Sequence, residues 1–356
     1  MRLQRFRDAQ SDLQAARRVA QLRADVEGET NLVLQEAMVC DWLEDVDAAQ
    51  QLVLDARGKV DAIDSAETRV RVDLAVGRSM VREGRYVESA IWLGDVAADA
   101  REVGDHESEI IAMMMQASAL CLCASLDRSE EVFAQALSMA SLRFDPLHRA
   151  AIYINRVLLW IRKGEPNKAL DDLRSAVQLA RFQGHAQLER WASYNTAEFL
   201  HWTGDHQAAL PLAQRAFDLG VDFFAEHPVA TDALLLARIH GSLNERSKVA
   251  RLLEWVTCHV PAERMSAVGL IHVRYLKLCD RSVFAKEVST SAWAELIDDA
   301  NCAMTDDEFL ELVHQALTYE QNRCQATLRA RWLSLIRQRD HSAPTWRLRL
   351  DRLSSL

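Results

Sequence analysis

An all-α array of repeated helix pairs is the fold class this sequence predicts, and three observations carry it. Landmarks recur at a fixed spacing of 40 residues, small and large side chains fill that register in columns, and turn-forming residues are few. One column reads Ala9, Ala49, Ser89, Ser129, Ala169, Ala209, Val249, and another, seven residues on, reads Ala16, Ala56, Val96, Ala136, Ala176, Ala216, Val256. Four residues past the first lies a bulky position, Leu13, Val53, Leu93, Phe133, Leu173 and Leu253, with Ala213 the exception. Small residues permit two helices to approach closely, and a large one between them supplies a knob for the facing hole.

The first predicted element, residues 5–24, fits the second helix of a pair whose first helix is missing. Thereafter each 40-residue unit splits at a turn placed at constant phase, Glu44, Gly84, Ala124, Gly164, Gly204 and Asn244, where Gly or Asn suits a left-handed helix stop. The helix before each turn carries a third small column, Ala37, Gly77, Ala117, Val157, Ala197, Ala237. In the helix after it, apolar residues follow helical spacing, as in Tyr86, Ala90, Leu93, Val96 and Ala97, so one face is buried. Start and stop signals separate the units: Asp145 before Pro146, Gly184, Asp64 with Glu67 as a capping box, and Pro228 after Glu226 and His227. The columns fail after residue 260, dividing the chain into a repeat array over 1–260 and an irregular helical cap over 261–356. In the cap, residues 304–321 and 324–340 read as longer helices, and Thr305 with Glu308 as a second capping box. Terminal repeats must present a polar outer face, which accounts for the irregularity.

Composition excludes several function classes. A net charge of -10, from 52 acidic and 42 basic residues, opposes a general affinity for nucleic acid. No run of 18 uncharged apolar residues occurs, and the first residues form no secretory signal, so neither membrane nor export is expected. The seven cysteines, Cys40, Cys121, Cys123, Cys258, Cys279, Cys302 and Cys324, form no CxxC pair and fit a reducing cytoplasm. No phosphate loop or HExxH motif is present, and Cys121 and Cys123 have no neighbouring base. His201 and His206 bracket a turn without a ligand-type helical partner, so no metal or cofactor is expected and the chain reads as no enzyme.

The columns resemble the tetratricopeptide repeat. The best unit runs from Ala150 to His185, with Tyr153, Val157, Trp160, Gly164, Pro166, Ala169, Leu173 and Ala176 in that family's order. The resemblance implies a right-handed α-solenoid of antiparallel pairs whose longer helices absorb a period of 40 instead of the usual 34. More narrowly, residues 156–216 are similar to the repeat region of large bacterial serine/threonine kinase and ATPase regulators. Their catalytic motifs are absent here.

The tetratricopeptide resemblance further implies that first helices line a groove. Its groove positions fall on Arg71, Leu74, Arg78, Val81 and Arg82, where the three arginines lie within about 20 degrees of one line. Arg162 and Arg238 match in later units, and Trp191, Tyr194, Glu198, His201 and Trp202 in the unit between. Guanidinium pairs beside aromatic rings suit a carboxylate-bearing peptide. The alternative is that the arginines pair with acids on adjacent helices and the aromatics are core. Met113, Met114 and Met115 are expected to be packing. The expected function is a cytoplasmic, bacterial scaffold or sensor that binds a protein or peptide in signalling or regulation, an acidic partner being the one the arginines suit. Its rivals are a regulatory part of a kinase or ATPase assembly and a homo-oligomer built through the C-terminal helices.

Overall fold

The computed structural model describes residues 6–43, 45–223, 230–284, 290–304, 306–319 and 326–339. Within them the chain is helical throughout, with no strand. The helices are α1 (Phe6–Leu22), α2 (Val26–Trp42), α3 (Val46–Arg57), α4 (Ala66–Arg82), α5 (Tyr86–Val103), α6 (His106–Leu122), α7 (Leu126–Leu142), α8 (Pro146–Lys163) and α9 (Pro166–Gln183). They continue as α10 (Ala186–Trp202), α11 (His206–Phe223), α12 (Thr231–Ser242), α13 (Arg246–His259), α14 (Ala267–Phe284), α15 (Thr290–Ala303), α16 (Asp306–Tyr319) and α17 (Ala326–Arg339). Residues 1–159 with 178–185 form one compact unit, and 160–177 with 186–356 a second.

The turns show a cadence of 20 residues beneath the period of 40. Positive φ occurs at Ala24, Gly84, Gly104, Ala124, Phe144, Gly164, Gly184, Gly204 and Asn244, so the turns within and between pairs are alike. At each, the next residue's N–H reaches back into the last helical turn: Asp25 to the Ala20 carbonyl at 3.0 Å, Asp105 to Ala100 at 2.9 Å, Asp205 to Leu200 at 2.8 Å. This is a Schellman closure, which satisfies the terminal carbonyls of the finished helix. Where that next residue is an aspartate, it then caps the following helix, whereas Arg85, Ser125 and Glu245 make no side-chain cap. Asp25, Asp45, Asp105, Asp145 and Asp205 accept from the backbone N–H of Gly28, Ala48, Ser108, His148 and Ala208 at 2.9 to 3.2 Å. One aspartate thus ends one helix and starts the next, leaving a turn of two or three residues. Asp145 with Pro146 and Gly184 behave as expected.

The rhythm is interrupted between α3 and α4, where a 3-10 turn spans Val60–Ala62. There the capping residue is Ser65, which accepts from the Thr68 N–H at 3.2 Å, and not the expected Asp64. The Asp64 carbonyl is instead taken by Arg69. Glu44, Thr305, Pro228 with Glu226 and His227, and Cys324 lie outside the described residues.

The columns pack as their sizes require. From Ala49 to Val249 and from Ala56 to Val256 every small position is buried, as are Val53, Leu93, Phe133, Leu173 and Leu253. Ser89 donates its hydroxyl to the Gly77 carbonyl at 3.0 Å, and Ser129 to the Ala117 carbonyl at 2.7 Å. Small columns of two paired helices therefore meet face to face. A Cβ on Gly77 would lie 2.5 Å from Leu93 Cδ2, so glycine is required where Leu93 fills the gap. At Ala213 the missing bulk comes from Leu235, Leu236 and Ile239 of α12, which share its cluster. Met113 and Met114 are buried packing residues, as expected.

In both units first helices touch the next first helices, α2 with α4, α4 with α6, α10 with α12 and α12 with α14, while α3, α5 and α7 make no comparable mutual contact. Each unit thus has an inner face made by alternate helices. The helices after 260 are not longer than the rest: α15, α16 and α17 have 14 residues each, against 17 or 18 in α4 to α7. One hydrophobic cluster runs from Ala230 to Ile336 and holds Phe309, Val313 and Trp332.

Candidate functional site

The candidate groove residues divide between the two units. In the first, Arg78 and Arg82 stand one turn apart on α4 and grip a single carboxylate, Asp41 of α2, at 2.9 and 2.5 Å. Arg71 meets Asp105 at 3.2 Å and Glu67 at 3.7 Å. The basic stripe is therefore neutralised by acids on its own and neighbouring helices, the alternative the sequence left open. Each side chain keeps about a third or more of its area in solvent, 46%, 31% and 30% for Arg71, Arg78 and Arg82. Met38, which holds in α2 the register of Arg78 in α4, is 48% exposed. Next to Asp41, the Trp42 ring lies 5.1 Å from the His185 ring.

The second unit treats its share differently. Arg238 is buried and ion-paired with Glu311 of α16, with Glu198 at 3.4 Å on its other side. His201 meets the same Glu311 carboxylate through Nε2 at 2.9 Å, and Gln315, one turn along α16, lies against both. Tyr194 donates to Glu198 at 3.1 Å. Of the five candidates here, Tyr194, Glu198, His201 and Arg238 thus join one buried polar cluster around α16, while Trp191 is half-buried and engaged with other groups. Arg162 is likewise half-buried and engaged, and Trp202 packs on the hydrophobic cluster.

Electrostatics within this cluster are set by one guanidinium facing two carboxylates. Burial alone would raise Glu311, but Arg238 outweighs it and holds that carboxyl well below the usual range. Burial disfavours the Arg238 cation too, and Glu311 beside it more than restores the charge. Glu198 gains less from Arg238, and burial pushes it up to about 7. Burial pushes His272 of α14 down to about 3, so it is neutral. On its other side, His201 Nδ1 lies 2.9 Å from His206 Nδ1.

Among the described residues, Arg238 Nε, Gln315 Oε1 and His272 Nε2 are buried without a hydrogen-bond partner. Each such atom costs about 1–3 kcal/mol. No group of three or more His, Cys, Asp or Glu among the described residues could hold a metal ion, and no described helix is long and apolar enough to cross a membrane. Cys121 is buried and Cys123 half-buried, neither in a disulfide.

Sequence reasoning missed Asp41, Glu311, Gln315 and His272. Asp41 lies 37 residues before Arg78, close to one period, so inspecting the preceding unit at the same phase would have found it. Glu311 pairs with a residue 73 positions away and carries no local signal.

Column packing, alternate-helix inner faces and Schellman turns define the fold: a tetratricopeptide-like array of helix pairs. No protein-family model matches the chain, and no curated protein matches it. Solved structures share its fold. Aspartyl phosphate phosphatase F from Bacillus subtilis aligns with TM-score 0.65 at 11% identity, covering 96% of this chain and 95% of that one. The apo form of the quorum sensor NprR from B. thuringiensis aligns with TM-score 0.50 at 12% identity, covering 93% and 92%. NprR in complex with its cognate peptide NprX aligns with TM-score 0.50 at 13% identity, covering 87% and 89%.

Proposed function

We propose that this protein is a non-enzymatic regulatory scaffold that binds a protein or peptide on the inner face of its first unit. The observation that carries this is the contrast between the units. Arg71, Arg78, Arg82 and Met38 retain solvent exposure, whereas Arg238 and His201 are consumed by the chain's own α16. NprR, whose fold this chain shares, was solved with a peptide bound, which supports the same mode of use. A guanidinium offers five N–H donors, so Arg78 and Arg82 can serve a second carboxylate while holding Asp41. An acidic partner, a bacterial signalling context and a cytoplasmic setting belong to this same proposal.

A photo-cross-linking residue placed at Met38 tests the reading against one at Ile91. Ile91 is 66% exposed on α5, a second helix of its pair. Partner cross-links are expected from position 38 and not from 91, and Arg78→Glu with Arg82→Glu should abolish them while helical circular dichroism is retained. Cross-links from 91 alone, or equal yields at both sites, would sink it.

A further inference from the structure

We infer that α16 is an internal occupant of the second unit's inner face, an autoinhibitory helix seated on a polar latch. The proposal concerns regulation and rests on the reading of inner faces as binding surfaces. Two residues at register positions where the resemblance places ligand contacts, His201 and Arg238, are met by one helix through an i, i+4 pair, Glu311 and Gln315, while Glu198 stands on the other side of Arg238. A few polar anchors among apolar ones is how a helix is held in a groove. Phe309, Leu310, Leu312, Val313, Ala316 and Leu317 of α16 supply the apolar part, and they are buried round most of the helix, so its seat is shared between this face and the helices packed on its other side.

The seat is built against permanence. A core helix would be held better by apolar residues, because burying charges costs more than their pairing returns in many proteins. Here the elements around α16 leave polar atoms unmatched: Arg238 Nε on α12, His272 Nε2 on α14 and Gln315 Oε1 on α16 itself, among the described residues. When α16 leaves, Glu198 remains 3.4 Å from Arg238, so the emptied face keeps a counter-ion for its buried cation. The same arrangement specifies what competes for the seat: a helix with an acid and an amide one turn apart, flanked by apolar residues. Since α16 also packs on α15 and α17, these open with it.

The test uses the full chain, wild type and Glu311→Gln, with a fluorescein-labelled peptide of residues 306–319 as probe. Amide exchange in α15 to α17 of the variant should rise at least tenfold while α10 to α13 stay unchanged, and the variant should bind the peptide where wild type does not. His272→Phe, which removes one unmatched atom, should slow exchange in α16. Exchange rising equally across α10 to α14 makes α16 ordinary core and overturns the proposal. So does a folded variant that neither opens nor binds the peptide, or unchanged exchange in His272→Phe. Cross-linking from Met38 is unaffected by these outcomes, so either reading can fail alone.

Discussion

Replacing Glu198 by Gln should remove a pH dependence that burial builds into the second unit. The folded pKa is raised from 4.5 to about 7, with burial as the main cause and Arg238 opposing it. A raised folded pKa stabilises below the unfolded value and loses that stability as pH rises through the folded one. The window is therefore pH 4.5 to 7, and between pH 5 and 8 the wild type should lose about 2.5 kcal/mol relative to the variant. Partial exposure of the side chain, 18%, lowers this toward about 1 kcal/mol through solvent screening.

A difference measurement is essential because His272 pulls the other way. Its folded pKa is depressed to about 3, so it contributes stability above 6.5 that is lost as pH falls. The two slopes oppose one another between 4.5 and 6.5 in the wild type and separate only on subtraction. The groups facing Glu198 are Tyr194 on its own helix, Arg238 on α12, and Glu311 and Glu308 on α16. Of these, Glu311 is depressed and changes charge only on the acid side of the window, and Tyr194 is raised well above it. Hydrogen exchange of α12 amides at pH 5 and 8, corrected for intrinsic rates, gives the local free energy. A wild-type minus Glu198→Gln difference that is flat within about 0.5 kcal/mol, or one of opposite sign, would refute the reasoning.

Two further outcomes follow from the repeat geometry. Gly77→Ala places a Cβ 2.5 Å from Leu93 Cδ2 and 2.7 Å from its Cγ, which should destabilise the first unit by about 1–3 kcal/mol in urea unfolding. Adding Leu93→Val should recover part of that loss, and strict additivity of the two would count against the contact. Phe144→Gly relieves a non-glycine φ of 53° on a side chain that is 89% exposed. It should therefore raise stability by up to about 1 kcal/mol, measured as an increased thermal midpoint.

The column logic was readable because it is local chemistry repeated. Ala49, Leu93 or Ala136 each needs only its own helix and the next one to be buried, so residue size at fixed spacing suffices. The aspartates at 25, 45, 105, 145 and 205 were equally present in the sequence. Their finer spacing of 20 stayed hidden under the stronger signal of 40, because one residue performs two jobs at once and marks no single boundary. The arginine stripe lies along α4, yet whether its charge is already paired was not predictable from α4 alone. Asp41 sits on another helix, and an acid one unit away decides whether a basic line attracts a ligand or is already satisfied.

What the sequence by itself determined is therefore the helix-pair repeat, its register and the face on which candidate contacts lie, since these depend on side-chain size and backbone propensity over a few turns. Only the tertiary structure decided which of those side chains keep solvent exposure and which are buried. Glu311 reaches Arg238 across 73 residues and His201 across 110, and no periodicity links them. Such pairs form because packing brings distant helices together and a buried guanidinium cannot remain without a carboxylate.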